Sequence, residues 1–162
     1  HPLFVIVRVD SPYDDKEWVA MPALHLDVAL IHATRADERG VCEIASPDHY
    51  MDDWFARASA QTIVSVDEMV DSTYFNDPDV ARRVYWERNV TSQIVHLEGG
   101  AHPSSSDPLY GFDVSHSTTY GGLIAEGGYA AWADAFLGAS EADYQTKVGG
   151  LDAIHQLPLP AY

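Results

Sequence analysis

Three short apolar runs set the tightest limit on the fold. Asp27–His32 (DVALIH), Thr62–Val66 (TIVSV) and Ser92–Leu97 (SQIVHL) span six, five and six residues. Each is too short for a buried helix and suits a strand. The nearly continuous apolar content of Asp27–His32 predicts a strand covered on both faces. Between the first two runs, His49–Ala60 carries Tyr50, Trp54 and Ala58 at i, i+4 and i+8, with Asp48 as a candidate N-cap. That spacing predicts a helix. Strands separated by helical stretches imply an α/β fold with a mostly parallel sheet.

Other segments fill in around this frame. Leu3–Val9 and Val41–Ile44 read as further strands, Glu17–Met21 is a short apolar piece, and Asp67–Val70 reads as the start of a short helix. After Gly99-Gly100 the character changes. Gly99–Phe112 is a long loop with two prolines and the run Ser104–Ser106. Helical patterns follow at Asp113–Ile124, Tyr129–Leu137 and Glu141–Val148, separated by Gly127-Gly128 and by Gly138. Leu157–Pro160 closes the chain without regular structure. No linker-like stretch divides residues 1–162, which predicts one domain.

Composition narrows the function classes. Nine basic and 25 acidic side chains give a net charge of −16. Nucleic acids and anionic membranes are recognised through clustered Lys and Arg, so neither is an expected partner. No apolar run reaches the roughly 18 residues of a membrane span. Cys42 is the only cysteine, which rules out an internal disulfide and fits a reducing, cytoplasmic setting.

The strongest local feature is Glu98-Gly99-Gly100-Ala101-His102-Pro103-Ser104, directly after a strand. Ligands of α/β sheets bind beyond the carboxyl ends of strands. Glycines allow close backbone approach, and freed amides can hold an anion or oxyanion. His102 could carry a proton. As bare sequence, the segment is equally a Gly-rich turn ending an ordinary strand.

Weaker patterns have plainer readings. Asp113, His116 and Tyr120 share one helix face, and the simpler reading makes Asp113 an N-cap and Tyr120 a core residue. His25 and His32 lack metal-ligand spacing, so buried, satisfied histidines are expected and no metal is assigned. No G-x-S-x-G element supports a serine hydrolase, and no G-x-G-x-x-G follows a strand. The acidic pair Asp52-Asp53 is expected to face solvent in the first turn of its helix.

Taken together, three stretches resemble one family. They are Ser11–Tyr13 and Ala20–His32 with Ala36–Gly40, then Ser65–Val70, then Gly99–Ser104 with Tyr110, Asp113 and Tyr120. This combination is similar to the α subunit of class I CoA-transferases of the glutaconate type. The tail Phe136–Gln145 and the stretch Pro47–Asp53 are similar to the α subunit of an actinobacterial steroid-ring CoA-thioester hydrolase, which is built on the same fold. Pro103-Ser104 follows the transferase pattern.

The resemblance implies a Rossmann-like α/β fold and a helical C-terminal tail. It implies acyl-CoA as substrate, no bound cofactor and a β-subunit partner. Family α subunits carry a further N-terminal half, so residues 1–162 are expected to be the C-terminal part of a larger subunit or to meet that half as a separate chain. The transferase nucleophile is a Glu of the β subunit, and the hydrolase acid lies in the N-terminal half, so neither falls on a residue here. The remaining expectations are His102 as a catalytic group and Gly99, Gly100, Ala101 and Ser104 as substrate or CoA contacts. Transfer of CoA between an acyl-CoA and a carboxylic acid, ring-opening hydrolysis, and a non-catalytic docking role all stay open.

Overall fold

The computed structural model describes residues 6–47 and 49–161. Its centre is a four-stranded sheet in the order β4-β3-β5-β6, from β3 (Leu26–Ala36), β4 (Cys42–Glu43), β5 (Ser59–Met69) and β6 (Gln93–His96). β3, β5 and β6 run parallel, and β4 folds back antiparallel on the edge of β3. The α/β class and the mostly parallel sheet match the sequence expectation.

Side-chain alternation decides what the sheet buries. Ala29, Ile31 and Ala33 of β3 sit beside Val64 and Val66 of β5, and this face packs on Ile44, Trp86 and Ala56. Ala56 is the buried residue of α1 (Asp52–Ala58). The expected Tyr50–Trp54–Ala58 stripe is not the packed one, because Tyr50 and Trp54 are exposed. Asp48, the expected cap, lies outside the described residues.

The opposite face begins open. Leu30 is 77% exposed and pairs in register with Ile63. β3 is therefore covered on both faces only toward its carboxyl end, not along its whole length as its apolar run suggested. Toward that end the second face carries His32, beside Ser65, and then Asp67. Asp67 belongs to β5 rather than to a helix, since pairing of β3 with β5 continues to Ala36 and Met69. The short helical turns come later, at Ser72–Asn76 (a 3-10 turn) and α2 (Pro78–Ala81).

A separate antiparallel hairpin joins β1 (Val7–Asp10) to β2 (Glu17–Ala20), closed by an Arg8–Glu17 ion pair of 2.7 Å. Residues 3–5 of the expected first strand lie outside the described residues. After the loop, α3 (Val114–Phe136) is broken at Gly128, whose φ of 72° and ψ of −172° leave the helical region. The Gly127-Gly128 separator thus acts as read from the sequence. α4 (Glu141–Lys147) is capped by Ser140, whose hydroxyl accepts the Asp143 amide hydrogen. α5 (Leu151–His155), a helix the sequence did not signal, buries Ile154. Among the described residues no helix is long and apolar enough to cross a membrane.

Candidate functional site

The Gly-rich loop follows β6 and is fastened by one carboxylate of β5. Asp67 is 2% exposed. Its Oδ1 accepts hydrogen bonds from the Gly99 amide at 2.8 Å and the Tyr110 hydroxyl at 3.0 Å. Its Oδ2 accepts from the Ser106 hydroxyl at 2.6 Å and lies 2.8 Å from His32 Nε2. Burial alone would raise the carboxyl pKa. The bonds from His32, Ser106 and Gly99 outweigh it and hold the group below the usual carboxylate range. His32 Nδ1 in turn lies 2.9 Å from Ser65 Oγ.

This clamp consumes the loop's own donors. The Gly99 amide is spent on Asp67, the Gly100 amide on Leu97 O at 3.0 Å, and the Ala101 amide on the Tyr110 hydroxyl at 3.0 Å. The expectation that these amides are free to hold an oxyanion is therefore corrected. Backbone groups next to a buried carboxylate and phenol bond to them rather than to a ligand. Gly99 has φ of 76°, and a Cβ there would stand 3.0 Å from Leu151 Cδ2 of α5. Glycine is needed at that point for conformation and for packing.

The predicted residues fall into two places. Gly100, Ala101 and Ser104 line a cavity of about 410 Å³ with His32, Tyr50 and Asp52. Gly99 sits behind that wall, buried. His102 lies elsewhere and borders a second hollow of about 500 Å³ with Trp132, Leu137 and Tyr144. Its side chain is 1% exposed. Nδ1 lies 2.7 Å from the Tyr144 hydroxyl and Nε2 3.1 Å from Asp113 Oδ2.

Asp113 is the N-cap of α3, accepting the His116 amide hydrogen at 2.7 Å. Burial pushes its pKa up, but the bonds from His116 and His102 win and lower it. Burial also lowers the His116 pKa, with the nearby His102 adding to the effect. Burial, with Glu141 and Asp113 adding, pushes the Tyr144 phenol up to about 12. His102, Asp113 and Tyr144 thus bolt the loop to the helical tail. Tyr120 is exposed and packs edge-on against Trp132, not in the core.

Sequence reasoning gave Asp67 and Tyr144 no role of their own within the stretches Ser65–Val70 and Phe136–Gln145, read Asp52 as facing solvent and read His32 as a buried, satisfied histidine. The pairing of His32 with Ser65 and Asp67 is set by the register of two parallel strands, which no local spacing encodes. Asp52 opens α1 as expected but lines the cavity instead of facing open solvent. Among the described residues no group of three or more His, Cys, Asp or Glu side chains is placed to hold a metal ion.

Known proteins share this fold. The coenzyme A transferase family model matches residues 11–86. The cholesterol ring-cleaving hydrolase IpdA subunit of Mycobacterium tuberculosis is 30% identical over 151 residues, covering 90% of this chain and 52% of that protein. A 3-oxoadipate CoA-transferase subunit of Pseudomonas knackmussii is 25% identical over 144 residues, covering 86% and 49%. The crystal structure of glutaconate coenzyme A-transferase from Acidaminococcus fermentans superposes with a TM-score of 0.82 at 23% identity, covering 94% of this chain and 48% of that one. The chain thus spans about half the length of the relatives it matches.

Proposed function

We propose that this chain, a CoA-transferase-like α-subunit domain, supplies one wall of an acyl-thioester site in a heteromeric enzyme that moves CoA between an acyl-CoA and a carboxylic acid. The observation that carries the reading is the clamp on Asp67. It fixes the Gly99–Tyr110 loop at the carboxyl ends of β5 and β6, so that Gly100, Ala101 and Ser104 face a cavity with His32. A rigid wall of this kind positions a thioester and its attacking group, which is where much of the rate of such reactions originates.

The nucleophilic carboxylate belongs in this proposal to a β subunit, with a further α portion completing the site. In the transfer reaction the carboxylate attacks the thioester carbonyl and CoA leaves as thiolate. The thiolate then attacks the resulting anhydride, leaving CoA on the enzyme and freeing the first acid, and an acceptor acid takes CoA by the reverse steps. His102 is proposed to act through Tyr144 and Asp113 as a positioning residue of the loop. Its buried ring, engaged at both nitrogens, supports that role over direct contact with substrate.

The similarity to the ring-cleaving hydrolase subunit favours a second reading, in which water opens a carbon ring and the thioester is kept. Mass spectrometry separates the two. The complex isolated through a tag on this chain is incubated with acyl-CoA and acceptor acid. Transfer yields the acceptor's CoA ester, ring opening yields the original thioester plus one water, and an unchanged acyl-CoA overturns both.

A further inference from the structure

The parallel part of the sheet is packed on one face only. The connection from β3 to β5 brings Ile44 and Ala56 to that face, and the connection from β5 to β6 brings Trp86 and Val90. Both steps move the same way across the sheet, and right-handed connections then fall on one side. The other face presents Val28, Leu30, Ile63 and Val95, which share it by register. Leu30 is mostly exposed, and Val28 and Val95 are nearly half exposed. Parallel sheets are ordinarily covered on both faces. β3 also has a free edge. β4 pairs only with Arg35 and Ala36, so from Leu26 to Thr34 no strand lies on that side among the described residues. A long apolar edge of this kind invites pairing, whereas β6, the opposite edge, is short and carries Gln93 and His96.

We infer that the free edge of β3 takes a parallel strand from the further α portion, and that the helix leading on from that strand covers Val28, Leu30, Ile63 and Val95. The inference rests on the further α portion of the proposed function and gives it a docking surface. One strand order accounts for both open features. Steps leading away from β3 on its free side run opposite to those from β3 to β6, so their right-handed connections fall on the uncovered face. A sheet wound outward both ways from its middle has its ligand crevice where the direction reverses, beyond the carboxyl ends of the strands. The cavity lined by His32 and Thr34 lies at that end of β3. This chain covers 52% of the ring-cleaving hydrolase subunit and 48% of the glutaconate coenzyme A-transferase chain, so such relatives have the length for a second half-sheet. A second copy of this chain suits the face less well, because each copy carries a net charge of −16.

The test uses the complex isolated through a tag on this chain. Leu30→Cys and Leu159→Cys are labelled with a maleimide, and the buried Cys42 gives the background. Leu159, in the tail, is exposed. Leu159→Cys is expected to react at least about tenfold faster than Leu30→Cys, because only the latter is covered. Val28→Cys repeats the reading on the same face. Equal rates at all three positions overturn the inference. A photo-reactive benzophenone residue at position 28 then identifies the cover. Its cross-linked peptides should come from the further α portion, whether joined to this chain or separate. Peptides from the β subunit or from a second copy of this chain overturn the assignment. Product formation from acyl-CoA is read on the same preparation. Transfer with an open face removes this inference and leaves the thioester reading, and a covered face without product does the reverse.

Discussion

The Gly99 amide donates to Asp67 Oδ1 at 2.8 Å, so a strand residue sets the position of a loop 32 residues later in the chain. Three further donors converge on the same carboxylate, from His32, Ser106 and Tyr110. Asp67→Asn keeps the shape but removes the charge and offers an amide where acceptors are needed. Breaking such a buried charged network costs about 3–5 kcal/mol. Urea unfolding at pH 7 should show a loss in that range. The Asp67 carboxyl is lowered below its ordinary 3.8 in the folded chain, so its contribution is full above that value and disappears as pH falls through the folded pKa. The wild type should therefore lose stability on acidification below about pH 4, and Asp67→Asn should lose less of it. Parallel acid-unfolding curves for the two proteins would remove Asp67 as the source.

Gly99 meets α5 at the back of the same loop. Alanine there would hold φ of 76° and place its Cβ 3.0 Å from Leu151 Cδ2 and 3.2 Å from Ile154 Cδ1. The left-handed conformation alone costs about 1–2 kcal/mol, and crowding adds to it. Gly122→Ala in α3 is the control, since a Cβ there meets nothing within 4 Å. It should stabilise by about 0.5–1 kcal/mol through helix propensity. Denaturant midpoints moving in opposite directions would confirm the contrast, and a shared direction would contradict it.

What the sequence makes legible follows from what each residue depends on. The three central strands, the break at Gly128 and the Asp113 cap rest on local chemistry, and the structure has them where the sequence placed them. Local pattern misled wherever tertiary pairing ruled. Asp67–Met69 looked helical but continues β5, because β3 offers it a partner as far as Ala36. Leu30 looked buried, yet its face of the sheet is open among the described residues. The Gly-rich loop is legible as a motif, but the fate of its amides is not. Asp67 lies 32 residues before Gly99, and although Tyr110 is only nine residues beyond Ala101, no local spacing shows that its hydroxyl takes the Ala101 amide.

His102 and Tyr144 provide a coupled pair for a double-mutant cycle. Tyr144→Phe removes the hydroxyl 2.7 Å from His102 Nδ1 and leaves a buried ring nitrogen without its partner. That costs about 1–3 kcal/mol. His102→Gln alone should cost a similar amount. The double variant should lose less than the sum by about 0.5–3 kcal/mol, because either change already breaks the link. Strict additivity in urea unfolding would show that the two side chains act separately. For the proposed positioning role, His102→Gln should lower kcat without moving the pH profile of the assembled enzyme. A titrating limb lost with the imidazole would instead make His102 a proton carrier.

Cys42 reports on the integrity of the sheet edge. It is 1% exposed on β4, and its thiol lies 3.7 Å from Thr91 Oγ1. Burial, with Asp37 adding and Thr91 opposing, pushes the thiol up to about 11. The reactive species is the thiolate, so at pH 8 a native Cys42 is both hidden and protonated. An aromatic disulfide reagent should label it at least about 100-fold more slowly than in urea, where burial is lost and the thiol returns to its usual range near 8.5. Since β4 pairs with β3 through Ala36 and Arg35, native labelling measures opening of that edge. Asp67→Asn, which loosens β5 on the other side of β3, should speed the labelling if the sheet opens as one unit. A rate unchanged by that substitution would show that the edge opens independently of the loop clamp.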